Sequence, residues 1–173
     1  EEFQAITPIG EDVLVLCDSC DFASNIEVAP CIPQKPEVIE EEKEMYLEET
    51  PNSRTIEEVA EHFHLDAKKF VKTLIYSVDE NPVAVMVRGD RDVNETKLRK
   101  MLNATNVELA DADTVVRVTG AQVGFAGPIG IQCPVYADEE VLYMQNFIVG
   151  ANKTGYHYAN VNNKDFTLTG HGD

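Results

Sequence analysis

Short, largely apolar runs separated by polar, turn-forming residues predict several strands along the chain. Two of these runs, 73–78 and 83–87, are joined by the turn-forming residues 79–82, which predicts a β-hairpin. Further strands are expected at 12–17, 107–109, 134–137, 147–150 and 156–161, with a turn at 153–155 before the last of them.

Helical periodicity fills the intervals between these strands. Thr55 and Glu58 form a capping box ahead of apolar residues at helical spacing, which predicts a helix. A short helix is expected after Asp66, running into 70–71, and 92–95 repeats the capping-box pattern ahead of a helix to about residue 102. Residues 113–118 predict another helix, ended by Gly120. Helices and strands mix without strict alternation, so we expect an α/β or α+β domain around a mixed sheet.

Composition changes sharply before this domain. Residues 30–49 combine three prolines with a run of glutamates, which predicts an exposed linker, so the folded domain should begin near Thr50. The chain of 173 residues starts without Met and without a signal-peptide pattern, and we expect it to be an excised piece of a longer protein. No apolar window is long enough to cross a membrane.

The net charge of -17 is distributed unevenly. Residues 1–50 carry 14 acidic and 2 basic side chains, residues 51–100 carry 9 of each, and residues 101–173 carry 8 acidic and 3 basic. A chain this acidic repels polyanions at long range, so a nucleic-acid partner would be held mainly by other parts of the protein.

Four cysteines, Cys17, Cys20, Cys31 and Cys133, leave metal and redox readings open. Cys17 and Cys20 have the two-residue spacing of zinc and redox sites, but no second such pair follows and the four histidines lack finger-like spacing. Free thiols are therefore expected, with no metal site.

Other motifs for covalent or metal catalysis are missing from the sequence, which has no G-x-S-x-G, no phosphate-binding Walker loop and no H-E-x-x-H. Three modest features remain. Lys72 lies in an otherwise largely apolar run, 124–128 offers two glycines and a proline that let a ligand approach the backbone, and His157 lies between two tyrosines. Each alone is more often structural than functional.

Four stretches in order resemble one family: TPNSRTIEEVAEHFHLDAKKFVKTLIY, VRGDRDVNETKL, VGFAGPIGIQCPVYAD and NFIVGANKTGYHYANVN. They are similar to the insertion domain of bacterial prolyl-tRNA synthetase, a member of the aminoacyl-tRNA deacylase superfamily that includes the freestanding YbaK-type editing proteins. The flank FQAITPIGEDVLVLCDSCDFASNIEVA also resembles the synthetase sequence that leads into this insertion.

The resemblance implies a fold and a division of the chain. The fold is a mixed β-sheet, partly barrel-like, with surrounding helices. Residues 1–49 would be the flank and linker from the class II aminoacylation domain, 50–162 the editing domain, and 163–173 the start of the return to the catalytic domain. Aminoacylation is not expected from this fragment alone.

The family's functional positions carry over to this sequence as Lys72, the loop with Gly124, Gly127 and Pro128, His157, and Thr50. Our mechanistic hypothesis is that the loop amides stabilise an oxyanion and that Lys72 positions the 3' end of tRNA. His157 would shape the pocket for the amino acid, and Thr50 would hydrogen-bond the substrate.

The implied activity is hydrolysis of the ester of mischarged alanyl-tRNA(Pro), in the cytoplasm. A preference for cysteinyl-tRNA(Pro) and a non-catalytic insertion that positions tRNA are the alternatives. The resemblance implies no cofactor for editing, because ATP and Mg serve only the absent aminoacylation domain. The implied partners are the 3' end of tRNA(Pro) and the rest of the synthetase, as a homodimer without membrane contact.

Overall fold

The computed structural model describes residues 6–173, which form two compact units divided between Cys31 and Ile32. In the first unit, β1 (Leu14–Leu16) pairs antiparallel with β2 (Ala23–Asn25). The strand predicted at 12–17 is thus confirmed over its central residues, whereas its partner had no alternating pattern to predict it.

The larger sheet of the second unit has five strands. These are β4 (Val71–Val78), β5 (Asn81–Arg88), β6 (Val107–Leu109), β7 (Val135–Asp138) and β10 (Gly170–Gly172), in the order β10-β7-β5-β4-β6. β4 and β5 form the predicted hairpin, in which Asp79 and Glu80 have φ of 45° and 69°. This left-handed pair makes a two-residue turn whose twist matches the strands. β5 with β7 and β7 with β10 are parallel, so the mixed sheet is confirmed.

The smaller sheet has the order β3-β9-β8 and is antiparallel throughout, with β3 (Tyr46–Glu49), β8 (Phe147–Gly150) and β9 (Tyr156–Val161). A single parallel bridge between Phe70 and Ile148 links it to the start of β4. Among residues 6–173 no sheet closes on itself, so the barrel-like part of the expected fold is not confirmed.

Four helices pack around these sheets: α1 (Ile56–Phe63), α2 (Glu95–Met101), α3 (Ala112–Thr119) and α4 (Glu139–Leu142). The capping box predicted at the start of α1 is present, with Thr55 accepting from the Glu58 amide and the Glu58 carboxylate accepting from the Thr55 amide. α3 ends at Gly120, whose φ of 77° favours glycine. Both ends were predicted from sequence because caps are local signals.

Three expectations differ from the structure. The helix after Asp66 is a single 3₁₀ turn, Ala67–Lys69, and residue 71 already belongs to β4. The cap of α2 is Asn94, which accepts from the Lys97 amide, rather than Asp92. The linker does not extend to residue 49, because β3 pairs with β9 there.

The largest of three buried apolar clusters in the second unit forms a layer between the two sheets. Val71, Ile75 and Met86 from the larger sheet pack with Phe147, Val149 and Val161 from the smaller one, and all six are buried. Removing such surface from water is the main stabilising contribution to folding. The layer ends beside β4, where polar groups from both sheets face a cavity.

Candidate functional site

A cavity of about 410 Å³ lies beside the first half of β4. The start of α1, the loop before Gly127, and strands β8 and β9 complete its walls. Most of the lining is apolar, in keeping with ligand sites that place a few polar groups in a hydrophobic surround. The polar side chains on its wall are those of Arg54, Thr55, Glu57, Lys72, Thr73 and His157.

Lys72 is the second residue of β4, and its side chain is 22% exposed. Its Nζ donates to Oδ1 of Asp92 at 2.8 Å, and the Asp92 side chain is 97% exposed. The hydrogen bond and charge of Lys72 hold the pKa of Asp92 below its ordinary value. A cation in this apolar run is therefore tolerated because it lies at the cavity mouth, beside a carboxylate that water can reach.

Glu57 adds a second anion near Lys72. Its pKa is lowered, first by hydrogen bonding to its own backbone N–H and then by the Thr55 hydroxyl, with a smaller contribution from the charge of Lys72. A carboxylate in the first turn of a helix is favoured by the helix dipole. The cavity lining therefore carries the cations Arg54 and Lys72 and the anion Glu57, and Asp92 is hydrogen-bonded to Lys72.

His157 lies on β9 and is 5% exposed. Its Nδ1 is 2.6 Å from Oγ1 of Thr50, and the Phe125 ring lies 5.5 Å from the imidazole, centroid to centroid. Burial, with a smaller effect from His62, lowers the pKa of His157 to about 4. The ring is neutral at pH 7, so it offers the cavity a polar atom without a charge.

Thr50 contacts the His157 ring through its side-chain hydroxyl. It is 0% exposed and is absent from the cavity wall, its amide donates to the Gly155 carbonyl at 2.7 Å, and its carbonyl accepts from Ser53 at 3.2 Å. The structure thus places the Thr50 side chain against His157, and its expected hydrogen bond to substrate stays a prediction.

The glycine-rich loop is fixed by close backbone contacts. A Cβ on Gly124, whose φ is 100°, would lie 2.6 Å from the Arg54 carbonyl oxygen, and one on Gly127 would lie 1.7 Å from that of Gly150. Neither position accepts a side chain without moving backbone. Asn152 closes the loop, because its Oδ1 accepts from the Gly127 amide at 2.8 Å and its Nδ2 donates to the Gly127 carbonyl at 2.8 Å.

These contacts decide which loop amides are available. Pro128 has no N–H, Gly127 donates to Asn152, and the Phe125 amide donates to Gln122 at 3.2 Å. Within the described chain no acceptor is found for the amides of Gly124 and Ala126, and both residues line the cavity. The loop therefore offers two backbone donors at the cavity, one of them at a position that the sequence did not single out.

The cavity brings together three of the six predicted site residues. Lys72, Gly124 and His157 line it, Thr50 supports His157, and Gly127 and Pro128 are outside its wall. Sequence reasoning missed Arg54, which precedes the capping box at the start of α1, and Glu57, which lies within it. It also missed Thr73, for which the sequence carries no signal.

Residues 6–173 contain neither a cluster of metal ligands nor a membrane-spanning helix. No group of three or more His, Cys, Asp or Glu side chains is arranged to hold a metal ion, and the four cysteines are free thiols. None of the helices has the length and apolar character needed to cross a bilayer.

Comparison with solved structures places the fold. A structure described as a putative trans-editing enzyme for prolyl tRNA synthetase superposes with a TM-score of 0.63 at 18% identity, covering 75% of this chain and 87% of that one. At this identity the match concerns the fold alone.

Sequence relatives and a family model agree with one another. A proline–tRNA ligase of Caldicellulosiruptor saccharolyticus is 52% identical over 168 residues, 97% of this chain and 29% of the relative. One from Listeria welshimeri is 42% identical over 176 residues, 100% of this chain and 31% of the relative. The chain thus spans about a third of their length. The resemblance seen in the sequence is confirmed, and with the aminoacyl-tRNA editing domain model matching residues 50–168, the chain belongs to the aminoacyl-tRNA editing domain family.

Proposed function

We propose that the chain hydrolyses the ester of mischarged alanyl-tRNA(Pro), as the editing domain of a prolyl-tRNA synthetase. The observation that carries the proposal is the meeting of Lys72, two free backbone amides and a neutral, buried His157 at one cavity. Family membership and the names of the relatives support the reaction class and the synthetase.

The reaction needs a water molecule, an oxyanion site and a path for one proton. The water oxygen attacks the ester carbonyl carbon, the bond to the ribose oxygen breaks, and that oxygen leaves with a proton. The amides of Gly124 and Ala126 would donate to the carbonyl oxygen as it gains negative charge. The vicinal hydroxyl of the terminal ribose would assist the water, so no protein nucleophile is required.

Lys72 would position the 3' end of the tRNA. Its ammonium lies at the cavity mouth, and its present partner, Asp92, is an exposed carboxylate that a phosphate can replace at little cost. A lysine acts on phosphate as a point charge, which suits a role in placement.

His157 would select the amino acid. An aminoacylation site shaped for proline cannot strongly reject the smaller alanine, because a missing contact costs only about 1 to 3 kcal/mol. A second site that accepts alanine and excludes the bulkier proline corrects this. A buried ring fixed by Thr50 is a rigid wall for such a size limit.

The wider assembly follows from the same proposal. The partners are the 3' end of tRNA(Pro) carrying the wrong amino acid and the rest of the synthetase, as a cytoplasmic homodimer. The net charge of -17 means that most affinity for tRNA would come from that remainder. Editing would use no cofactor, and ATP and Mg would serve aminoacylation only.

The test is deacylation of alanyl-tRNA(Pro), with prolyl- and cysteinyl-tRNA(Pro) in parallel, by the complete protein. Lys72→Ala is the diagnostic variant, and Lys100→Ala, which removes an exposed lysine of α2 away from the cavity, is its matched control. Loss of alanyl-ester hydrolysis in Lys72→Ala alone supports the proposal. Equal hydrolysis by all three forms would overturn the role of Lys72, no hydrolysis by any form would favour a tRNA-positioning module, and a cysteinyl preference would change the substrate.

A further inference from the structure

The first half of β4 has an open edge on the cavity side. Opposite β5, Lys72 faces Val87 and Thr73 faces Met86. In an antiparallel pair, alternate residues point both backbone groups toward the partner strand or both away from it. Two hydrogen bonds fix the alternation here, because Phe70 accepts from the Gly89 amide at 2.7 Å and Ala84, opposite Ile75, donates away from β4 to Pro134 at 2.9 Å.

Thr73 therefore directs its N–H and C=O away from β5. On that side β6 pairs only with residues 76–78 of β4. The edge is closed before Thr73 by the bridge between Phe70 and Ile148, and after it by the hydrogen bond from Ala110 to Ile75 at 2.9 Å. Within residues 6–173 no partner is found for either backbone group of Thr73, and the residue lines the cavity.

The Thr73 side chain is a second, independent observation. It is 7% exposed, and its hydroxyl oxygen is buried without a hydrogen-bond partner among the described residues. An unsatisfied buried hydroxyl destabilises the folded state. Since Thr73 borders the cavity, a ligand bound there can supply the missing hydrogen bond.

We propose that this one-residue edge at Thr73 binds the terminal adenine base of the tRNA, an inference that rests on the proposed function. Adenine presents a ring nitrogen acceptor beside its exocyclic amine donor on either hydrogen-bonding edge, the complement of a strand's N–H and C=O. A peptide strand adding to the edge would need several consecutive free residues, and only one is open.

The placement is consistent with the rest of the cavity. Ala126 and Val115 also line the cavity, so apolar atoms are available to contact the base. Lys72 is the adjacent residue along the strand, and its side chain points to the opposite face of the sheet. A nucleoside held at the edge therefore lies in a cavity that also presents the Lys72 cation and the Gly124 and Ala126 amides.

The test varies the base rather than the protein. The complete protein is given alanyl minihelices that end in adenosine, in purine riboside, which lacks the exocyclic amine, or in 1-deaza- or 7-deazaadenosine, which each lack one ring acceptor. We expect kcat/KM to fall about tenfold for purine riboside and for one of the two deaza substrates, the loss of one hydrogen bond in each case. Equal kcat/KM for all four substrates would overturn the proposal.

Thr73→Pro connects this loss to the strand edge. Proline removes the outward N–H without breaking a ladder bond to β5, a position where strands tolerate it. The penalty for the sensitive deaza substrate should disappear in this variant, while that for purine riboside should remain. Persistence of the deaza penalty would place the base elsewhere. Thr73→Val should lower kcat/KM several-fold, with Thr73→Ser restoring it.

Binding separates this inference from the proposed function. If the complete protein hydrolyses no alanyl ester, the proposed function fails, and the affinities of the uncharged minihelices still test the edge. The loss of affinity caused by Thr73→Pro should be large for the minihelix that ends in adenosine and small for one of the two deaza minihelices. If the loss is the same for all terminal bases, the edge does not bind adenine.

Discussion

Lys72 and His157 reach the same cavity from different sheets and in opposite electrostatic states. Lys72, on the five-stranded sheet, is a partly exposed cation paired with a fully solvated carboxylate. His157, on the three-stranded sheet, is a buried neutral ring paired with a buried hydroxyl. Lys72 thus gives the cavity a charge that can exchange partners, and His157 gives it a ring whose position is fixed.

The difference follows from solvent access at the two positions. Burial removes the hydration of a charge, so a cation at the His157 position would be costly, whereas water at the mouth keeps Lys72 charged. A long, flexible side chain suits the capture of a mobile tRNA end. A short ring bonded to Thr50 suits discrimination between amino acids that differ by a few atoms.

The largest effect on hydrolysis is expected from removing the charged side chain of Lys72. Lys72→Ala should lower alanyl-ester hydrolysis at least about 100-fold, the usual scale for losing a group that positions or stabilises charge at the reacting centre. Circular dichroism and the denaturation midpoint should change little, because the lysine is paired only with an exposed carboxylate. Full hydrolysis with an intact fold would mean that the cation does not act on substrate.

The burial of His157 in its neutral form should make the free energy of unfolding depend on pH. The pKa of His157 is about 4 in the fold and about 6.5 when unfolded, so protons bind the unfolded chain preferentially between these values. Its contribution to stability is complete above pH 6.5 and is lost as the pH falls toward 4. From pH 7 to pH 5 the free energy of unfolding should drop by about 2 kcal/mol through this group.

Urea denaturation of the chain and of His157→Gln at both pH values measures this contribution. The variant, whose side chain does not titrate, should lose less stability on acidification than the unmodified chain. Equal losses in the two proteins would show that His157 is not buried in its neutral form.

A smaller effect, on the selectivity between amino acids, is expected from removing the hydrogen bond between Thr50 and His157. Thr50→Val keeps the volume and removes the hydroxyl that contacts Nδ1 of His157. We expect the ratio of kcat/KM for alanyl over prolyl ester to fall about fivefold, since one hydrogen bond contributes about 1 kcal/mol. If the rate collapses while the ratio is unchanged, the pair acts in the chemical step instead.

The smallest effect should come from the exposed partner of Lys72. Asp92→Asn should raise alanyl-ester hydrolysis about twofold at low salt, because the substrate phosphate no longer competes with a carboxylate. Added salt should remove the gain by screening. Glu80→Gln, which neutralises an exposed carboxylate in the hairpin turn, is the matched control. A large loss of activity in Asp92→Asn would mean that this carboxylate binds substrate.

Elements with local signals were predictable from the sequence. The capping box fixed the start of α1, and runs of strand-forming residues located β8 and β9 at the boundaries observed. β3 carries two glutamates, and β10 reads Gly-His-Gly, so neither has a strand pattern of its own. Both form because a neighbouring strand offers them backbone hydrogen bonds.

The candidate site likewise combines residues that could be predicted from the sequence with features that could not. The family resemblance supplied Lys72, Gly124 and His157, and their assigned roles stay predictions. The hydrogen bond between Thr50 and His157 spans 107 residues of sequence, and the open edge at Thr73 depends on where β6 stops pairing. Such features arise from register and tertiary contact, which a residue pattern does not encode.

Two hydrogen bonds from Asn152 and the close approach of Gly150 fix the Gly127 backbone. These contacts affect how the cavity can receive a ligand. A loop held at both polar groups of one residue, with no space for a single methyl group, does not swing open as a lid. A ligand therefore meets a loop whose shape is set when the chain folds rather than when the ligand arrives.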